Sequence, residues 1–171
     1  MGMDVYGKSP TSEVGSYFRN NVWWWRPLWE YCETQHPEIC SGVSGAYNDG
    51  DGLDADGAAE LGKALLADVA SGKTKAYGDK YREWQKSLPK EPCTYCATTG
   101  IRTDDVGKDM GQDKKELDDE DKVLYGRTHG WCNGCDGAGW TDNFALNYPF
   151  DSENVQQFAE FCLASGGFEI W

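Results

Sequence analysis

The apolar positions of this 171-residue chain fall into segments of two different periods. Residues 3–6 (MDVY) and 17–25 (YFRNNVWWW) are rich in aromatic and β-favouring side chains and predict strands. Arg26-Pro27 predicts a helix start, because proline suits the first helical position. Leu28, Tyr31, Cys32 and Gln35 follow on one face, and Pro37 stops the run. Residues 41–53 are Gly-rich and predict a loop. Asp54 predicts an N-cap, with Ala58, Leu61, Leu65 and Val69 recurring at helical spacing until Ser71-Gly72. Tyr77, Tyr81, Trp84 and Leu88 repeat that spacing over 74–88, and Pro89 and Pro92 close the second helix. Both stripes read as core. A last helix starts at Asp151 or Ser152 and buries Val155, Phe158 and Cys162; FEIW (168–171) predicts a terminal strand. The fold class expected is α+β, a small mixed body of short strands and about four helices.

Between residues 90 and 140 the pattern changes. Cys93-Thr-Tyr-Cys96 and Cys132-Asn-Gly-Cys135 are two C-x-x-C pairs. Each such turn converges two sulfurs on one ion, and two turns complete the tetrahedral shell of a structural Zn2+. Cys93, Cys96, Cys132 and Cys135 are therefore the expected metal ligands. His129 is the one residue that could replace a cysteine, and a solvent-facing or second-shell place suits it better. Four thiolates leave no position for a catalytic water. Residues 104–122 are charged and almost free of large apolar groups, which predicts a mobile acidic insertion. The domain expectation is a body of 1–89 and 141–171 with a zinc ribbon inserted at 90–140. The run Cys132-x-x-Cys135-x-Gly137-x-Gly139 resembles the zinc-binding repeats of DnaJ-type chaperones and related zinc ribbons, over about a dozen residues. The first pair, followed by Ala97-Thr98-Thr99-Gly100, lacks the paired glycines, so the resemblance implies metal binding and not chaperone activity.

Sixteen basic residues stand against 29 acidic ones, a net charge of −13. That balance disfavours general nucleic-acid binding and favours a protein partner with a basic surface. No run of about 18 apolar residues exists, and the N-terminus lacks the pattern of a secretory signal, so no membrane association and a cytoplasmic location are expected. Seven cysteines in such a chain point to metal or free thiols, with Cys32, Cys40 and Cys162 as buried apolar side chains.

Two other motifs compete. His36-Pro37-Glu38 with Pro92-Cys93-x-x-Cys96 spells the zinc deaminase pattern, with Glu38 as proton shuttle, but neither half reads as opening a helix and Cys132 and Cys135 would be left over. Asp49-Gly-Asp51-Gly-Leu-Asp54 resembles a calcium loop, yet Tyr47 and Ala58 would occupy its first and closing ligand positions, so a turn into an Asp-capped helix is expected.

The block from Asn20 to Arg26 holds three consecutive tryptophans. On a strand, Arg19, Asn21, Trp23 and Trp25 share one face, and with Arg26 they offer rings and a guanidinium to a nucleotide or a protein partner; the competing expectation is that all three indoles are buried core. The opening MGMDVYG, the YFRNNVWWWRPLW block and the N-x-G-x-G-L-D-A…A…L segment at 48–65 resemble uncharacterised small proteins of phages and bacteria, over roughly the N-terminal half. That resemblance implies an accessory protein of a phage or mobile element, acting in the host cytoplasm, with no reaction attached. Three functions are therefore expected in order: a non-catalytic inhibitor that binds a host defence protein, a sponge for a small nucleotide signal, and a zinc-dependent nucleobase deaminase.

Overall fold

The computed structural model describes residues 2–171 and shows an α+β protein. The chain forms two compact units, one of residues up to Lys86 together with Asn147–Trp171, the other of Ser87–Leu146.

The first unit is built on a three-stranded antiparallel sheet in the order β2 (Tyr17–Asn21), β1 (Gly2–Gly7), β5 (Phe168–Ile170). Register runs from Gly2↔Asn21 to Tyr6↔Tyr17 on one edge of β1 and from Val5↔Ile170 to Gly7↔Phe168 on the other. The strand period places Met3 and Val5 of β1, and Phe168 and Ile170 of β5, in the core.

The predicted strand 17–25 is corrected. It ends at Asn21, and Val22–Gln35 is helix α1. The Asn21 side chain accepts hydrogen bonds from the backbone N–H of Trp23 and Trp24 (3.0 and 3.1 Å), so an N-cap converts the aromatic run into a first turn. Burial then supplies what strand propensity opposes: Trp25, Leu28, Trp29 and Cys32 form one helical stripe with no more than 2% exposure. Pro27, expected to open the helix, lies inside it.

A short helix α2 (Pro37–Cys40) follows, then α3 (Ala55–Ala70), α4 (Lys73–Ser87) and α7 (Ser152–Ser165). Asp54 caps α3 through Gly57 N–H at 2.8 Å, and Asp151 caps α7 through Glu153 N–H at 3.1 Å. α3 and α7 pack face to face, with Ala58, Leu61 and Leu65 of the first and Val155, Phe158, Phe161 and Cys162 of the second all buried. Gly62 permits this closeness, since a Cβ there would stand 2.9 Å from the Ala159 carbonyl oxygen. The α4 stripe is only partly core: Tyr77 and Tyr81 pack beside Phe150, whereas Trp84 is exposed and the buried positions are Thr74, Gly78 and Gln85.

The second unit has a two-stranded sheet of β3 (Glu91–Pro92) and β4 (Trp140–Thr141), and two short helices, α5 (Asp105–Asp109) and α6 (Asp119–Tyr125). The expected mobile loop at 104–122 is thus corrected to a folded segment. Asp104 and Asp118 cap the two helices, through Gly107 N–H at 3.1 Å and Asp121 N–H at 2.8 Å. Backbone bonds from Trp131 N to Gln112 O, Gly130 N to Lys115 O and Leu117 N to Thr128 O tie it down, and Leu117 is buried. Caps and main-chain bonds need no large apolar residue, which is why composition alone suggested disorder. No helix among the described residues is long and apolar enough to cross a membrane.

Candidate metal centre

Cys93 and Cys96 lie in one tight turn and Cys132 and Cys135 in another, and the antiparallel pairing of β3 with β4 brings the turns together. Cys93 N–H donates to Gly139 O at 3.0 Å, continuing that ladder into the site. The four sulfurs lie within 4.8 Å of one another and all four residues are buried. The Sγ–Sγ separations across the two turns are 3.8 Å (Cys93–Cys132) and 3.7 Å (Cys96–Cys135). A tetrahedral ion with metal–sulfur bonds of about 2.3 Å requires an edge of about 3.8 Å, so the donors are spaced for one such ion.

The two knuckles are near copies, 39 residues apart. Thr99 N donates to Cys96 O at 3.0 Å, and its counterpart Ala138 N donates to Cys135 O at 2.9 Å. A Cβ on Gly100 would overlap the Gly137 carbonyl, and a Cβ on Gly139 would overlap the Thr98 carbonyl. Each turn therefore needs its last glycine because the other turn presses against it. The first knuckle was expected to depart from the repeat pattern for want of paired glycines. Its backbone nevertheless follows the same path: Thr98 has φ +71°, where Gly137 has +77°. A β-branched residue in that region is strained. Thr98 is exposed, so Thr98→Gly is expected to raise the stability of this unit by about 1 kcal/mol, read from its denaturation midpoint. An unchanged or lower midpoint would contradict the strain argument.

The electrostatics of the cluster ask for a cation. Burial and the neighbouring cysteines push the Cys135 thiol up to about 12, with one opposing contribution from Gly139 N–H, which donates to its sulfur at 3.1 Å. Burial likewise raises Cys132. At Cys93 burial also opposes ionisation, but the N–H groups of Tyr95 and Cys96 and the adjoining thiols outweigh it and hold the group below its ordinary value. Ionising several thiols in contact in a buried site sets like charges against one another, and a divalent ion would remove that cost. The donor set fits a soft metal ion.

Arg127 was not foreseen. Its Nη2 donates to Gly100 O (3.0 Å) and Gly137 O (2.9 Å), one carbonyl from each knuckle, while Nε reaches Gly130 O at 3.3 Å. A five-donor fork suits that bridging. Nothing in the spacing around Arg127 signals it, because its acceptors are backbone atoms. His129 is exposed, bonds Thr128 Oγ1 at 3.0 Å, and is not in the thiol cluster.

The competing motifs resolve locally. His36 is buried with Nε2 2.9 Å from Asp68 Oδ2, and that carboxylate also accepts from Tyr31 Oη at 2.8 Å and pairs with Lys73 at 3.2 Å. Burial pushes the Asp68 carboxyl up, and these three donors together bring it below its usual value. His36 thus joins a hydrogen-bonded network between helices, and the group that could hold a metal ion contains Cys132 and Cys135 in its stead. The Asp49–Asp54 run is a turn: Asp51 accepts from Ser44 and Gly52 N–H (2.6 and 2.8 Å) and Asp54 caps α3.

The expected aromatic face is not assembled. Arg19 is exposed on β2 beside Asp4, Asn21 is spent as the helix cap, and Trp25 is fully buried with its Nε1 donating to Gly45 O at 2.6 Å. The helical turn gathers a different set: Trp23 packs on Tyr148 (4.9 Å between rings), and Arg26 reaches Tyr148 Oη at 3.2 Å. Comparison of the chain with protein-family models, curated proteins and solved structures gives no match.

Proposed function

We propose that this chain is a non-catalytic binding protein, encoded by a phage or mobile element and organised by a structural zinc ion, that inhibits a host defence protein by stoichiometric association. The observation that carries the reading is the closed set of four buried sulfurs. Such a set satisfies a tetrahedral ion and leaves it no position for water or substrate, so the metal serves the fold. Zinc suits it best among soft ions because it is redox-inert and has no geometric preference of its own. The net charge of −13 supports a partner with a basic surface, and the N-terminal resemblance to small phage and bacterial proteins supports the origin. The nucleotide sponge needed Trp25 beside Trp23 at a solvent face, and the deaminase needed His36 on the metal; neither arrangement is present.

The test is metal content together with salt dependence. One equivalent of zinc per chain is expected in purified protein. The association rate with the host partner should fall steeply as ionic strength rises, since attraction between exposed charges is screened beyond about 8–10 Å in physiological salt. Rates independent of salt, or turnover of any nucleoside substrate, would overturn the reading.

A further inference from the structure

Helix α6 lies on the outside of the second unit and buries none of its residues. Seven residues are too few for a helix to persist alone, so its ends must hold it. At its start, Leu117 is buried and Asp118 caps the first turn. At its end, Tyr125 Oη donates to Asp136 O at 2.9 Å, in the second knuckle, and its ring meets Trp131 edge-on and Arg127 at 4.8 Å. The metal-organised knuckle therefore presents this helix as a fixed ridge.

Two adjacent aliphatic side chains stand on that ridge, Val123 at 85% exposure and Leu124 at 70%. The fold makes no use of them, and valine is not chosen for a solvated helix on propensity grounds. Single exposed aliphatics need no explanation. Here the pair is preceded by Glu116, Asp118, Asp119, Glu120 and Asp121, while Arg127, which follows it, donates to the Gly100 and Gly137 carbonyls of the knuckles. The cation beside those carboxylates, Lys122, is already engaged by Glu116 at 3.2 Å and Asp119 at 3.4 Å.

We infer that α6 is the docking ridge of this protein: Val123 and Leu124 insert into an apolar recess of a partner protein whose rim carries lysine or arginine, and the carboxylates pair with that rim. Charge decides the occupant. A second copy of a chain with net charge −13 brings the same acidic rim to the contact, and nucleic acid or an anionic lipid surface brings phosphate. A cationic protein surface alone matches both the apolar centre and its surroundings, which is the usual layout of a protein interface. This inference rests on the proposed binding function and names the surface that performs it.

The test uses the full chain with a photo-crosslinking residue at position 124, and a control protein carrying it at exposed position 14, exposed to host extract. The crosslinked protein is then purified and titrated against the wild type, against Val123→Ser with Leu124→Ser, and against Asp119→Asn with Glu120→Gln; every variant is checked for unchanged metal content. Support requires a 1:1 complex with a basic protein crosslinked from 124 and not from 14. It also requires an affinity loss of about tenfold or more in the serine variant and a flatter salt dependence in the amide variant. Crosslinking only to another copy, or equal affinity across the variants, would overturn the ridge while leaving the binding function standing. No complex of the wild type with any component of the extract would overturn both.

Discussion

Cys132→Ser is expected to abolish the proposed metal binding and, with it, the fold of residues 87–146. Cys132 is fully buried, and the hydrophobic cluster of this unit consists of the four cysteines themselves. A unit so poor in apolar contacts would draw its stability from an ion held by that group, and structural zinc supplies apparent binding energies of about 10–16 kcal/mol in zinc-finger peptides. Serine leaves three thiolates and a poor fourth donor in a water-excluding site. Metal analysis should fall well below one equivalent per chain. Limited proteolysis should cut within 87–146, while the segment up to Lys86 and Asn147–Trp171 stay protected. A strong chelator added to the wild type should reproduce the cleavage pattern. Cys162→Ser is the control, since Cys162 lies in the core of the other unit, and it should leave metal content unchanged. Retention of stoichiometric metal and full protection by Cys132→Ser would remove the basis for a metal-held unit, and the case against catalysis would go with it.

Trp25→Ala is expected to destabilise the first unit by about 3–5 kcal/mol, the range for removing a buried tryptophan from a core. The indole stacks on Trp29 (5.7 Å, 12°) and meets Phe158 edge-on at 5.3 Å. Its loss opens a cavity between α1 and α7 and strips the Gly45 carbonyl of its donor in the Gly-rich loop. Against a total stability of 5–15 kcal/mol for ordinary domains, this approaches unfolding. Denaturant titration of the folded baseline and midpoint measures it. Trp23→Ala, at a half-buried site against Tyr148, should cost less than half as much. Equal and small losses at both positions would show that the indoles serve a surface, and would restore the ligand-binding face.

Where the linear pattern succeeded, the determining forces were local. Asp54, Asp151 and the spaced apolar residues of α3 and α7 act within a few residues of themselves, so caps and period are visible in one dimension. The cysteine pairs were equally legible, because a C-x-x-C turn carries half of a tetrahedron whatever surrounds it. The aromatic run failed for an instructive reason. Tryptophan's strand preference is weak, and the choice between strand and helix was made by a cap at Asn21 and by the core that receives Trp25, Leu28 and Trp29. The alternative was present in the spacing 25, 28, 29, 32, which is helical. The acidic segment failed because main-chain bonds and capping carboxylates leave no trace in hydropathy.

By itself, then, the amino-acid order determined which four cysteines cluster (Cys93, Cys96, Cys132 and Cys135), the acidic character of the chain, its α+β class and the cores of α3 and α7, since each follows from neighbours in sequence or from composition. Only the tertiary structure decided that Thr98 takes a glycine's conformation, that Arg127 fastens one knuckle to the other, that Trp25 is core, and that Val123 and Leu124 stand in solvent. Those outcomes depend on atoms brought close by the fold from distant points of the chain, and a one-dimensional pattern holds no record of such approach.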